Sequence, residues 1–283
     1  MTGTGTETDP YVVSTWAELS AKMQESGVYI KLSEQGGVID LNDEFPDGIS
    51  RIEVRCREVQ GNNWKIRNLY IKDKVALSAD NSAGGDWVSE INDLHFLNIV
   101  CQNGTLVCGN YASLMKFNRC QFSGIFSSNN QETVMNGYSF GFITLDRCSL
   151  NFKINNCNTF YKIILCQCNI KLSGIGEAIV ANKFDNCYLS GNYKSTNADA
   201  IILEAISSTG PSGSCYSVVD IELSSYKDNA KVTSEGELSN MVLINTDKIQ
   251  SGVSIAETLN KVTTIQLTDA EYLSSIGFPI GVD

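Results

Sequence analysis

The chain is poor in positive charge, in histidine and in long apolar runs, and each shortage excludes a class of function. Among its 283 residues, 21 Lys and Arg stand against 32 Asp and Glu, a net charge of -11. A nucleic-acid backbone is bound by concentrated Lys and Arg, and no basic patch compensates locally, so nucleic acid is excluded as a partner. No run approaches the roughly 18 apolar residues of a membrane-spanning helix, and "MTGTGTETDPYVV" has neither the cationic nor the apolar part of a secretory signal. The expectation is a soluble chain with no membrane partner. With His95 the single histidine, imidazole clusters for metal or proton relay are excluded as well. What remains is 42% hydrophobic and 19% charged, a balance that can bury a core.

Cysteine, by contrast, is abundant. Ten in a long chain without a secretory signal read as reduced thiols rather than a disulfide framework. Zinc is disfavoured by spacing: Cys166 and Cys168 form C-x-C, Cys101 and Cys108 stand seven apart, and no paired C-x2-C set exists. No metal and no cofactor is expected.

The cysteines occur in a repeated phrase. "FNRCQF" (117–122), "LDRCSL" (145–150), "LCQCNI" (165–170) and "FDNCYL" (184–189) share an apolar residue, two mostly polar ones, cysteine, a polar residue and an apolar one. Aligning the central position adds Leu69, Ile99 and Ile221, with intervals between 19 and 34 residues. Such a period, with period-two alternation in "SLNFKI" and "NIKLSG", predicts stacked coils of short strands rather than helical repeats. Asn68, Asn98, Asn118 and Asn186 fall in the polar pair, where a tight corner would use a residue tolerant of left-handed backbone. Cysteine would follow the corner and point inward. The sequence therefore predicts a core ladder of Cys120, Cys148, Cys168 and Cys187, one per coil, with a packing role. Further rungs are expected at Ile39, Val54 and Leu243. Phe117 and Phe184 are predicted to face inward, and Gln121 and Asn169 outward.

The ends differ from the middle. Thr15 to Ser26 carries Trp16, Leu19 and Met23 at helical spacing behind an N-capping Thr15, predicting an amphipathic helix over the first coil. At the other end Asp269 to Ser275 predicts two helical turns. The predicted organisation is an opening segment and capping helix over 1–27, a parallel β-helix over 28–250, and a cap or docking tail over 251–283. Tyr272, Leu273, Ile276, Phe278, Pro279 and Ile280 form an apolar cluster in that tail, expected either to cap the last coil or to dock on a partner.

"GTGTETDPYVVSTWAEL" resembles the opening of many right-handed parallel β-helix proteins, and "DAEYLSSIGFPIGVD" is similar to the C-terminus of structural proteins of phages and prophages of Gram-positive bacteria. The resemblance implies an all-β, single-stranded right-handed parallel β-helix. It also implies a non-enzymatic virion component: a fibre, a decoration or a host-adhesion module located on the particle. The implied partners are other virion proteins, host-surface carbohydrate, and further copies in a homo-oligomer. Neither match transfers a catalytic residue.

The alternative is a tail-associated polysaccharide depolymerase on the same fold. Inverting glycosidases hold two carboxyl groups roughly 6.5 to 9.5 Å apart. Asp146 and Asp185 occupy one corner position two coils apart, about 9.6 Å by the strand spacing, and are the catalytic candidates. Asp also favours corners for its own sake, and no acidic cluster accompanies them. His95 beside Asp93 is a further general-base candidate, without a G-x-S-x-G nucleophile phrase. Asn103 begins an N-G-T sequon, which means little without a secretory signal.

Overall fold

The computed structural model describes residues 1–41, 52–79, 87–109, 113–129, 132–137, 143–161, 163–176, 179–181, 183–185, 187–196, 203–205, 217–225, 231–232, 241–244, 248–251, 254–255, 260–263, 266 and 269–275. The chain is an all-β parallel β-helix. Every strand pairing among the described residues is parallel, apart from one antiparallel bridge between Thr2 and Val12.

Each coil contributes to three faces. The first runs through Tyr11–Val13, Tyr29–Leu32, the start of Glu58–Arg67 and the start of Trp87–Gln102. It continues through Ser113–Asn118, Ile143–Asp146, Ile163–Cys166 and Lys183–Asp185. The second is built from Val38–Asp40, the ends of the two long strands, Gln121–Ser127, Ser149–Tyr161, Asn169–Gly176, Tyr188–Ser195, Ser217–Ser225, Met241–Ile244 and Asn260–Val262. Shorter strands, among them Ile52–Val54, Val75–Ala79, Thr105–Cys108 and Thr133–Asn136, close the third.

Alternation decides which side chains enter the core, because successive residues of a strand point to opposite faces. Ile30, Val59, Ile91, Phe117, Leu145 and Leu165 share one inward column, and all are fully buried. Phe96 and Phe122 stack in the next column with ring centroids 5.4 Å apart, and Phe117 meets Phe122 edge-on at 5.3 Å. Gln121 and Asn169, of opposite parity, are exposed. The side chain of Phe184 lies outside the described residues.

The corner before Cys120, Cys148 and Cys168 is built differently from the sequence expectation. Left-handed backbone falls not on Asn118 but on the next residue, in the column Asp93, Arg119, Arg147 and Gln167, with φ between 51° and 54°. Asn118 ends its strand instead, and its amide donates to Asn92 Oδ1 at 2.6 Å. An L side chain there costs about 1–2 kcal/mol. Ladder bonds offset that cost: the N–H groups of Arg119 and Arg147 donate to the carbonyls of Asp146 and Cys166 in the next coil, each at 2.9 Å. Asn186 lies outside the described residues.

Asn68 and Asn98 do adopt the left-handed conformation, but at a second corner of the coil. The strand Trp87–Gln102 contains both corners, at Asp93 and at Asn98. The rung partner of Cys120 is therefore Leu94, 26 residues earlier, since Asn92 pairs with Asn118 and His95 with Gln121. Leu69 and Ile99 belong to the second column, with Gly124, Phe152, Leu172, Gly191 and Ile221. Ile39 and Leu243 fall in the Phe96–Phe122 column, and Val54 on the third face. The two corners look alike in sequence because both place polar residues before an inward apolar one. Gly191 suits the second column through its backbone: φ is 121°, and a Cβ would lie 1.8 Å from the Leu172 carbonyl oxygen.

At the N-terminal end α1 (Trp16–Met23) is shorter than the predicted stretch. Thr15 Oγ1 accepts from the Glu18 N–H, and Glu18 reaches back to the Ser14 N–H at 3.0 Å. Leu19 and Met23 are buried, and α1 packs against Tyr11–Val13, Tyr29–Leu32 and Ile52–Val54. The Met23 carbonyl accepts from the Arg55 N–H at 2.7 Å, which ties the helix end to the coil. At the other end α2 (Ala270–Ser275) is capped by Asp269, whose Oδ1 accepts from the N–H groups of Glu271 and Tyr272.

Candidate functional site

The cysteine-side corner brings the candidate acids and histidine into one strip. Asp93 accepts two hydrogen bonds from Arg119, at 2.8 and 2.7 Å. Those bonds hold the Asp93 carboxyl below the usual carboxylate range and raise the guanidinium. Asp146 accepts from Nε and Nη2 of the adjacent Arg147, at 3.1 and 3.0 Å. Asp146 and Asp185 share a register column with Cys166 between them, two coils apart as the spacing implied. The side chain of Asp185 lies outside the described residues. Both bonds from Arg147 end on Oδ2, so one carboxylate oxygen of Asp146 is engaged by its neighbour.

His95 sits on the outward side of its strand yet is only 7% exposed, between Lys65 and Gln121 in register. Its Nδ1 has no hydrogen-bond partner among the described residues. Burial pushes its pKa down, against the pull of the Asp93 carboxylate. The imidazole is thus held neutral, and its nearest acid is engaged by Arg119.

Cys120, Cys148, Cys168 and Cys187 occupy one column, each at most 3% exposed, and none is disulfide-bonded. Each thiol lies near a carbonyl one coil back: Ile91, Phe117, Leu145 and Leu165 accept from the four in turn, at 3.3 to 3.4 Å. The Cys168 thiol is pushed up to about 12, first by its bond to Cys148 and then by burial. Cys148 is pushed up as well, first by Cys120. Cys148 and Cys168, held protonated in an apolar column, are poor nucleophiles and poor ligands. Among the described residues no three His, Cys, Asp or Glu side chains are placed to hold a metal ion.

Open grooves score the outer surface among the described residues, and the two described next were not read from the sequence. One, of about 460 Å³, is lined by Asp73, Lys74, Asn103, Gly104, Thr105 and Glu132. Asp73 and Asn103 are both left-handed there, and a Cβ on Gly104 would lie 2.5 Å from the Lys74 carbonyl oxygen. Asn103 Oδ1 accepts from the Asn129 N–H at 2.7 Å. The other, of about 360 Å³, follows the bend of the second face past Asn98, Ser123, Gly124, Ile125, Asn151 and Lys153. The sequence signal for both is faint, since a groove between coils joins residues some 25 to 30 apart in the chain.

In the tail, Tyr272 is half-buried on α2 and Leu273 lies on the same helix, its side chain outside the described residues. Ile276, Phe278, Pro279 and Ile280 lie outside the described residues.

No family model matches the chain, and no curated protein matches it. Among solved structures it is similar to a crystal structure from Bacteroides ovatus of a protein named as a candidate immunoglobulin A1 protease. That match has 12% identity and a TM-score of 0.39, over 96% of this chain and 89% of the other.

Proposed function

We propose that the chain is a non-catalytic structural protein, a rigid β-helical spacer that displays its outer face to a partner. The observation that carries this reading is the state of the corner acids: Asp93 and Asp146 are each engaged by an arginine, while the cysteines and Phe rings fill the interior. Parallel coils bonded in register give stiffness along the stack, because each inward residue packs against its equivalents above and below. The placement on a phage particle, as a fibre, decoration or host-adhesion module beside other virion proteins, rests on the terminal resemblances alone. In that setting the tail cluster of Tyr272, Leu273, Ile276, Phe278, Pro279 and Ile280 either caps the last coil or docks on a partner.

A polysaccharide depolymerase is the second reading, favoured by the register of Asp146 with Asp185 two coils away. The test is incubation of the purified protein with capsular and uronate-rich polysaccharides, following reducing ends and the absorbance of unsaturated uronates. No release is expected. Release that disappears in the Asp146→Asn and Asp185→Asn variants would overturn the non-catalytic reading in favour of the second.

A further inference from the structure

The outer surface of the second face carries a patch whose charge opposes that of the chain. Asn151 pairs with Lys171, and Lys153 with Ser173, so four outward side chains form a two-by-two array on adjacent coils. The lysines occupy one diagonal, about 7–8 Å apart at the backbone for such neighbours. Asn151, Lys153 and Lys171 are exposed, and neither lysine has an ion-pair partner among the described residues. One flanking coil presents Ser123 and the half-exposed Ile125, and the other presents Ser190 and Asn192. These four coils place no carboxylate at the outward positions of the array, in a chain of net charge -11.

Carboxylates return one coil later and are already engaged. Glu222 accepts from Asn192 at 2.9 Å, and Asp220 from Tyr188 at 3.0 Å and Lys248 at 2.5 Å. The array is therefore bounded at that end, and at the other it opens into the groove lined by Asn98, Ser123 and Ile125.

We propose that this array binds an acidic polysaccharide, one anionic substituent settling between Lys153 and Lys171. Two ammonium groups with amide and hydroxyl donors at the other diagonal suit a single carboxylate or sulfate. The flanking Ser and Asn side chains match sugar hydroxyls, and exposed Ile125 offers an apolar surface for a ring face. A nucleic acid fits worse, since neither the array nor its flanking positions Ser123, Ile125, Ser190 and Asn192 carry an aromatic side chain on which a base could stack. The proposal rests on the reading of the chain as a display scaffold and supplies the ligand class of the displayed face.

The test is affinity electrophoresis of the full chain in gels containing polygalacturonate, dextran sulfate or neutral dextran, with oligo(dT) in parallel. Polygalacturonate or dextran sulfate should retard the protein, the more strongly retarding gel identifying the preferred anion, and 0.5 M salt should abolish the effect. Lys153→Glu with Lys171→Glu should weaken retention at least tenfold with an unchanged melting curve, whereas Lys116→Glu, on the first face beside Glu90, should leave it intact. If the double variant melts early, Lys153→Gln with Lys171→Gln repeats the comparison without charge reversal. Unchanged retention in a folded variant, no retention by either polyanion, or equal retention by dextran or oligo(dT) would overturn the proposal. Reducing ends released from the bound polymer would instead overturn the non-catalytic reading while leaving the array in place.

Discussion

Arg119 grips Asp93 across one coil with two hydrogen bonds, at 2.8 and 2.7 Å, and both residues stand in left-handed backbone at the same corner of the β-helix. The ion pair is partly exposed and adds at most about 1 kcal/mol. The backbone is the larger constraint. Arg119→Asn, which keeps a residue tolerant of φ near 54°, should change stability by less than about 1 kcal/mol. Arg119→Val places a β-branched residue there and should cost about 2 kcal/mol more than the Asn variant. Urea midpoints of the two variants decide this, and equal midpoints would mean that the corner does not constrain the side chain.

The thiol column makes a second prediction. Alkylation of the folded protein at neutral pH should spare Cys120, Cys148, Cys168 and Cys187, because they are buried and Cys148 and Cys168 are held well above their ordinary value. Half-buried Cys108 and Cys166 should label first. In denaturant all of them should label, read by mass spectrometry of the peptides. Rapid native labelling of the column would show that the coils open readily.

Core packing gives the third. Phe117 is fully buried and meets Phe122 edge-on, so Phe117→Ala should cost about 3–5 kcal/mol in chemical unfolding. Exposed Gln121, four residues on, should tolerate Ala within about 0.5 kcal/mol. A reversal of that order would mean that the strand faces the other way.

His95 gives the pH dependence. Its folded pKa lies below that of the unfolded chain, which is near 6.5. The unfolded state then binds the proton more readily, so stability should fall as pH drops from about 6.5 toward the folded value. Asp93 behaves alike at lower pH, since its depressed pKa gives stability present above the ordinary carboxylate range and lost below it. Thermal melts from pH 7 to pH 5 should show a decline that His95→Gln reduces, and an identical decline in that variant would remove His95 as its source.

What the sequence determined by itself was the kind of fold and which side chains of a strand turn inward. Period-two alternation with cysteine phrases 19 to 28 residues apart is compatible with stacked parallel coils, and Phe117, Leu145 and Leu165 need only their own strand parity to be placed inside. Thr15 likewise announced its cap, because an N-cap is a local hydrogen bond. Only the tertiary structure decided which coil positions coincide. Ile99 and Leu94 both follow a left-handed corner within one strand, and local pattern cannot say which of them lies beneath Cys120. It also moved the strained residue from Asn118 to Arg119, where inter-coil hydrogen bonds outweigh intrinsic preference. The facing of Lys153 with Ser173 and of Lys171 with Asn151 has the same origin, for register between coils is set by core packing and corner geometry across about 20 residues of intervening chain.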